Sequence, residues 1–425
     1  MASKPAMSVS RVLNCKSGGE NMKSCVITAA ARTAVGGYLG SLKTVEAQDL
    51  GAAVLVEAAK RSNIELDQID QVIMGDVYGY TPNVARCASL LAGIPESTPA
   101  YVVDRQCASS LQAVASACYE IAADEADVVL AGGVEVMSRL TYYLPPETRF
   151  EPMRLGDKQL YDTFTHGVTI VQPQSMYPGM NMGLTAENVA EKYGITREEQ
   201  DLFAVDSIEK MKAAMTEGKF KDEILPYEVK LRKSTFTFDT DEHINMKTDY
   251  ETLSKLRPVF RTDGKGSVTA GNSSGMNDGA SAVVVMSEEK AKELGQKPLV
   301  RIVSIASAGV NPALMGIGPV PAVKKALEKA KLTLKDIDLI ELNEAFAAQS
   351  LGVLKELGMD MGTEMYKRVN VNGGAIAHGH ALANSGTRLI TTLIYEMKRR
   401  DARYGLVSVC IGGGQGMALI IENIK

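Results

Sequence analysis

The sequence predicts an α/β fold built from two related halves, and three observations support this prediction. Apolar strand-like runs alternate with amphipathic helical patterns through most of the 425 residues, which is typical of layered α/β proteins. Two short stretches recur at a nearly constant offset along the chain. Between residues 139 and 266 the alternation gives way to mixed charge, several Met and Tyr, and short helices. We therefore expect two α/β halves interrupted by an inserted segment.

Composition agrees with a soluble globular enzyme. At about 150 residues per domain, the length allows two or three domains and a large core. Hydrophobic residues make up 45% and charged residues 23% of the chain, which is ordinary. The net charge of -5 gives no bulk attraction to nucleic acid or to an acidic membrane surface. No apolar run approaches the ~18 residues that a membrane span requires. We therefore expect neither nucleic acid nor a membrane as a partner.

Residues 1–21 are polar and are expected to lie outside the fold. They carry Lys4, Arg11 and Lys16 with no acid before Glu20, so a weak organellar presequence is one interpretation and an upstream start or cloning remnant the other. The cysteines show neither CxxC pairs nor dense spacing; they are Cys15, Cys25, Cys87, Cys107, Cys118 and Cys410. This favours a reducing compartment and argues against a metal site. We expect a cytoplasmic protein without a metal, and leave a mitochondrial or other organellar matrix open.

The predicted elements follow hydrophobic periodicity and turn residues. In the first half they are strand 24–30, helix 45–60, strand 71–75, a helix near 84–91, strand 101–103, helix 111–123 and strand 127–133. The insertion has helices 185–192 and 197–217. After the insertion the pattern resumes with strands 280–286 and 299–307, helix 321–331, strand 338–342, helix 389–397 and strands 406–410 and 417–421. We expect a first half of residues 22–138 and 267–296, a loop domain of residues 139–266 that covers the site, and a second half of residues 297–425.

The recurring stretches suggest duplication of one α/β unit. Residues 64–73 resemble residues 332–340 at an offset of 268, and Tyr119-Glu120-Ile121 resembles Tyr395-Glu396-Met397 at an offset of 276. Chance similarity is the alternative. If the duplication holds, the turn around Cys107 corresponds to the one around His380.

Cys107 stands where a predicted strand turns into a predicted helix. Unpaired backbone N–H groups and the positive end of the dipole at a helix N-terminus favour the thiolate, which is the nucleophilic form. We therefore predict a reactive cysteine. The alternative is a small, inert core residue.

Three further turns carry polar groups at strand or helix ends. Residues 372–381 are Gly-rich and hold His378 and His380, two of the four histidines; either could be structural. Cys410 ends a strand before the Gly-rich run 412–416, whose N–H groups suit an oxyanion, although a tight hairpin with a buried Cys explains the pattern as well. Residues 341–346 place polar side chains at a strand's carboxyl end, where α/β sheets hold ligands; a helix cap is the alternative.

Five motifs taken together resemble the thiolase family in order and spacing. They are CASSLQA, GNSSGMNDGA, NEAF, GGAIAHGH and CIGGGQG. The resemblance extends from about Met22 to the C-terminus. It implies a duplicated five-layer αβαβα architecture with an inserted loop domain, a dimer or tetramer of identical subunits, and acyl transfer between coenzyme A thioesters as substrates, with no separate cofactor. Acetyl-CoA acetyltransferase is the first expectation, and a 3-ketoacyl-CoA thiolase for longer or branched chains the alternative.

The resemblance also implies catalytic roles. Cys107 would accept the acyl group as a thioester, and His380 would take its proton. Cys410 would act as the acid or base at the α-carbon. Asn343 would hold a water that stabilises an enolate together with His380, and the backbone N–H groups of Cys107 and Gly412 would form a second oxyanion hole.

Substrate contacts are implied for a second set of residues, namely Ser274 at the pantetheine arm, with Asn181, Met182, Phe346 and Lys247. Here the chain departs from the family. The usual His-Met-Gly reads Asn181-Met182-Gly183, and Lys247 is only a possible substitute for an Arg that contacts the adenine. Other departures are Ser110 for a common Gly, Ala381 for the Pro of Gly-His-Pro, and Ala383-Asn384 for Gly-Ala.

Two other functions compete with a thiolase. A decarboxylating ketoacyl synthase shares the duplicated fold, but its elongating members have a second catalytic His where this chain has Asn343, and the class has no base cysteine at Cys410. A thiolase-like scaffold that binds acyl-CoA without turnover is the third reading. The intact set of reactive residues favours an enzyme.

Overall fold

The computed structural model describes residues 23–151, 155–261 and 263–424, so the predicted extension of residues 1–21 lies outside the described residues. The strands are β1 (Cys25–Thr33), β2 (Gly36–Gly37), β3 (Gln71–Gly75), β4 (Ala100–Val103), β5 (Val128–Val136), β6 (Tyr142–Tyr143), β7 (Tyr161–Asp162), β8 (Ile224–Leu225), β9 (Tyr227–Lys230), β10 (Thr235–Phe238), β11 (Asn277–Ser287), β12 (Val300–Gly309), β13 (Leu339–Leu342), β14 (Tyr404–Ile411) and β15 (Gln415–Asn423).

The helices are α1 (Ala47–Arg61), α2 (Val84–Leu91), α3 (Ser109–Ala122), α4 (Thr163–Ile170), α5 (Met182–Tyr193), α6 (Arg197–Thr216), α7 (Tyr250–Ser254), α8 (Glu288–Glu293), α9 (Pro319–Ala330), α10 (Ala347–Leu357), α11 (Ala375–His378) and α12 (Ser385–Arg400). Each strand and helix predicted for the two halves is observed, with shifted ends. The main shift is at α12, which begins at Ser385 rather than at residue 389. The sequence pattern missed its first turn because Ser-Gly-Thr-Arg is polar yet buried.

The main strands follow the order β13-β14-β15-β12-β1-β11-β5-β3-β4. In the first half β3 pairs in parallel with β4 and β5, and β11 runs antiparallel between β5 and β1. In the second half β13 pairs in parallel with β14, and β15 runs antiparallel between β14 and β12. The halves meet where β1 pairs with β12.

The two halves repeat one topology, which confirms the duplicated α/β fold. Gln71 pairs with Val129 in the first half, and Leu339 pairs with Gly405 in the second. The first members of these pairs are 268 residues apart and the second members 276, the two offsets seen in the sequence. A short 3-10 turn precedes β3 and another precedes β13.

Helices form three layers around the strands. Helices α1 and α2 pack on the outer face of the first half, and α9 and α10 on that of the second half. Between them α3 and α12 pack against each other and share a core with β1, β11 and β14. The approach is close, because a Cβ added to Gly386 would lie 2.5 Å from the backbone nitrogen of Leu111. The turns that precede α3 and α12 are therefore neighbours.

The described part of the inserted segment contains β6 to β10 and α4 to α7. The sequence predicted α5 and α6, whereas α4 and the β9–β10 hairpin were not predicted. The division into two halves and a loop domain stays a prediction. Among the described residues, every helix is too short or too polar to cross a membrane.

Candidate active site

A tight turn between β4 and α3 presents Cys107. Gln106, next to it, has a positive φ of 48°, a left-handed conformation that non-glycine residues seldom adopt. The backbone N–H of Gln106 donates to Asp104 Oδ1 at 2.7 Å, and that of Arg105 donates to Ser109 Oγ at 2.9 Å. These bonds hold the turn, so Cys107 faces the interior cavity in a defined position.

The surroundings of Cys107 favour the neutral thiol over the predicted thiolate. Helix α3 begins only at Ser109, and burial raises the pKa of Cys107 to about 12, although backbone N–H groups of Gly412 and of Cys107 itself oppose the rise. Removal of the thiol from water outweighs these contacts. Cys107 is therefore a neutral thiol at rest and needs a base to become nucleophilic.

His380 has the hydrogen bonds of a neutral base. Its Nδ1 lies 2.6 Å from Ser385 Oγ, and that hydroxyl donates to the Ala381 carbonyl at 2.9 Å. Because the hydroxyl hydrogen is used there, Nδ1 is the N–H donor and Nε2 keeps its lone pair. Burial lowers the pKa of His380 to about 3, assisted by the positive charge of Arg388. The ring is therefore neutral and can accept a proton at Nε2.

Cys410 lies at the end of β14, where a turn leads into β15. Gly413 and Gly414 in this turn have φ of 80° and 83°, a conformation that suits glycine. Cys410 is fully buried, and burial raises the pKa of its thiol, with a further contribution from Cys107. The sequence left open whether Cys410 faces a substrate or is buried in a tight hairpin. Both hold, because Cys410 lies in a tight hairpin and also lines the cavity.

A cavity of about 520 Å³ brings most of the predicted residues together. Its wall includes the three side chains predicted to react, those of Cys107, His380 and Cys410. Five more predicted residues share the wall, namely Gly412, Ser274, Asn181, Met182 and Phe346. A cavity of this size, with few polar groups, is typical of a small-molecule site.

Two predicted residues lie elsewhere. Asn343 is fully buried and does not line the cavity, although its Nδ2 is 3.4 Å from His380 Nε2. Its Oδ1 has no hydrogen-bond partner among the described residues. Lys247 is exposed in a turn and does not line the cavity. The wall therefore gives no support to Lys247 as a substrate contact.

Asn181 also caps a helix, which the sequence pattern did not reveal. It is the N-cap of α5, and its Oδ1 accepts a hydrogen bond from Leu184 N at 3.0 Å. Capping fixes the side chain and satisfies a helix-end donor. The wall contact at Asn181 and the start of α5 are thus coupled.

Two open alternatives are decided by contacts. Glu344 does not cap α10; its carboxylate accepts from Ser207, Asn370 and the Ile376 N–H in the buried interior. His378 is structural, because its Nδ1 lies 3.4 Å from Asp241 Oδ2, away from the cavity.

Sequence reasoning missed several functional positions. Ser385 fixes the tautomer of His380, and its only signal is a hydroxyl placed five residues after that histidine. Much of the cavity wall is apolar and comes from segments without a motif, including Met137, Phe164 and Met315. Helix α4, which carries Phe164, has no distinctive pattern.

Comparison with known proteins gives consistent results. The chain matches the profile "Thiolase, N-terminal domain" over residues 25–289 and "Thiolase, C-terminal domain" over residues 296–423. It is 48% identical to the acetyl-CoA acetyltransferase of Allochromatium vinosum over 405 aligned residues. The alignment covers 95% of this chain and 100% of the relative.

Solved structures agree with these matches. The acetyl-CoA acetyltransferase of Bacillus anthracis superposes with a TM-score of 0.89 at 45% identity, covering 95% of this chain and 99% of that one. Human mitochondrial 3-ketoacyl-CoA thiolase in complex with CoA superposes with a TM-score of 0.88 at 42% identity, covering 95% and 99%. With both domain profiles matched and the motif residues gathered at one cavity, this chain belongs to the thiolase family.

Proposed function

We propose that this chain is an acetyl-CoA C-acetyltransferase, which condenses two acyl-CoA molecules or cleaves a 3-ketoacyl-CoA through an acyl-cysteine. The observation that carries the proposal is the neutral thiol of Cys107, the neutral imidazole of His380 and the second thiol of Cys410 on one cavity wall. The acetyl preference draws on the names of the relatives.

In the cleavage direction His380 acts first. Its Nε2 takes the proton of Cys107 while Sγ attacks C3 of the 3-ketoacyl-CoA. The C2–C3 bond then breaks, and the electron pair remains on C2 as the enolate of acetyl-CoA. Because burial raises the pKa of Cys410, its thiol holds a proton that it delivers to C2. Acetyl-CoA leaves, and Cys107 carries the acyl group.

Coenzyme A completes the cycle. The Cys410 thiolate takes the proton of the incoming CoA thiol, and the CoA sulfur attacks the acyl carbon. The bond to Cys107 breaks, and its sulfur recovers the proton held by His380. Condensation is the reverse of these steps. The backbone N–H groups of Gly412 and Cys107, which already approach the Cys107 sulfur, are suited to stabilising the oxyanion.

The second thiol separates this proposal from a ketoacyl synthase. That class has no base cysteine at Cys410, whereas here Cys410 lies on the wall beside Cys107. The scaffold alternative predicts binding of acyl-CoA with no acyl-enzyme and no turnover.

Cys410→Ser is the experiment that tests the assignment of roles. A hydroxyl is a poor acid or base near neutral pH, so self-acylation by acetyl-CoA should persist while condensation and thiolysis fall by roughly 100-fold or more. Equal loss of both half-reactions in a folded variant would make Cys410 structural. Kinetics of the wild type on a panel of 3-ketoacyl-CoAs gives the chain length; higher kcat/KM for longer chains would favour the 3-ketoacyl-CoA thiolase alternative.

We also propose an assembly of two or four identical subunits, a cytoplasmic location and a role in fatty acid metabolism. The family resemblance supports these proposals, and the described cysteines are all free thiols, as a reducing compartment favours. Light scattering at micromolar protein tests the assembly; a monomer would refute it.

A further inference from the structure

Two buried carboxyl groups lie close to the nucleophile turn and are not used in the reaction above. Asp76 follows β3, and Glu135 is the next-to-last residue of β5, so both stand at the carboxyl ends of neighbouring parallel strands. Only 1% of Glu135 and 8% of Asp76 is exposed. Acidic side chains are seldom buried to this degree without a partner.

Glu135 joins two segments of the site. Its Oε1 accepts a hydrogen bond from the backbone N–H of Tyr78 at 3.1 Å, and its Oε2 accepts one from the N–H of Ala383 at 3.1 Å. Tyr78 lines the cavity, and Ala383 lies in the turn that follows His380. A single carboxyl group thus holds the wall on one side and the turn of the base on the other.

The pair lacks a cation. Within the described ranges, neither Asp76 nor Glu135 forms a salt bridge. Burial raises the pKa of both carboxyls, and the negative charge of Asp76 raises that of Glu135 further. Two buried carboxyls that repel each other hold a proton where isolated ones would not.

The protonation state of Glu135 affects the pKa of Cys107. Negative charge on Glu135 or Asp104 raises the pKa of Cys107, and Cys107 in turn raises the pKa of its ionisable neighbours Tyr78 and Cys410. Asp104 is exposed, so solvent screens it. A charge on buried Glu135 would be screened far less and would oppose formation of the thiolate.

We propose that Glu135 is a positioning residue for the first half-reaction. Its carboxyl ties the Tyr78 segment to the turn after His380, and when protonated it adds no negative charge beside Cys107. The inference rests on the proposed function, since it assigns Glu135 to the acylation step of that reaction.

Glu135→Gln tests both the positioning role of Glu135 and the effect of its charge on Cys107. Glutamine keeps the shape but cannot ionise, and its single carbonyl oxygen can replace only one carboxylate oxygen well. The rate of Cys107 alkylation by iodoacetamide, followed against pH, should show a midpoint lower by about half a pH unit or more. In steady-state acyl transfer, kcat should fall by roughly 10-fold with KM changed by less than about threefold, because the bond to Tyr78 or Ala383 is lost.

Glu187→Gln is the matched control. Glu187 is also buried, and its carboxylate accepts from the backbone N–H groups of Ser267 and Val268, at 2.9 Å each. It is not among the groups that influence the pKa of Cys107. Its alkylation midpoint should match the wild type.

Asp76→Asn provides a second variant that leaves both bonds of Glu135 in place. It removes a charge that raises the pKa of Glu135, so Glu135 ionises more readily and the alkylation midpoint of Cys107 should not fall. An unchanged midpoint in Glu135→Gln with kcat no lower than in Glu187→Gln, or a midpoint that falls as far in Asp76→Asn as in Glu135→Gln, would overturn the inference. Alkylation needs no turnover, so a wild type that fails to form an acyl-enzyme would reject the proposed function and leave the midpoint comparison valid.

Discussion

At the scale of single residues, the reactive set depends on neutral groups rather than on a preformed ion pair. Burial raises the pKa of Cys107 to about 12 and lowers that of His380 to about 3, so both are uncharged at rest. The sequence identified both residues, but it predicted a thiolate because only the helix end was visible in it. How fully a side chain is removed from water depends on residues far away in the chain, and no local pattern gives that.

Ser385→Ala tests the tautomer of His380. Without the hydroxyl, Nδ1 loses its acceptor and the ring can rotate or change tautomer, so kcat for acyl transfer should fall roughly 10- to 100-fold. Ser385→Thr keeps a hydroxyl and should restore most of the rate. Thr391→Ala is the control, because its hydroxyl bonds to Thr387 O within α12. A Ser385→Ala enzyme as active as Thr391→Ala would show that His380 needs no partner at Nδ1.

Asn181→His tests whether this departure from the family sets acyl preference. An imidazole is larger than the amide and can become cationic, so the wall should narrow and the preference should move toward acetoacetyl-CoA over longer or α-branched substrates. The measurement is kcat/KM for each substrate. Asn181→Ser is the control, since it retains an N-cap oxygen for α5. If the ratio between short and bulky substrates moves by less than about threefold, Asn181 does not set specificity.

At the scale of elements, periodicity located the strands and helices of both halves, because they are long and their apolar faces are regular. It failed for α4 and the β9–β10 hairpin, whose residues are mostly half-buried or exposed and show no clean pattern. Prediction of the site residues shows the same difference between regular elements and irregular segments. Residues in turns after regular elements were predicted, whereas apolar wall residues from irregular segments were not.

Gly386→Ala tests the close packing of α3 on α12. A Cβ there would lie 2.5 Å from the backbone nitrogen of Leu111, and backbone cannot move aside cheaply. We expect the free energy of unfolding to fall by about 2 kcal/mol, measured by urea denaturation. Gly309→Ala is the control, because the nearest atom to its added Cβ is 3.9 Å away, and it should change stability by less than about 0.5 kcal/mol. Equal stability of the two variants would show that the helices can separate without cost.

At the scale of the whole molecule, duplication explains why the site lies where it does. The first half supplies Cys107 after β4, and the second supplies His380 before α12 and Cys410 at the end of β14. The offsets of 268 and 276 residues predicted this pairing, because equivalent turns of two packed halves approach each other. They could not predict which side chains line the cavity, since the inserted segment contributes wall residues such as Asn181 and has no counterpart in the repeat.

The acyl-enzyme is the central claim, and mass spectrometry of the protein incubated with acetyl-CoA tests it most directly. Cys107 shares the cavity with the base His380, and of the other cysteines that the structure describes only Cys410 lines that cavity, where the proposed reaction uses it as an acid. We predict an acetyl adduct on the peptide that contains Cys107, and none in Cys107→Ala. An adduct on Cys87 or Cys118, with Cys107 unmodified, would contradict the account.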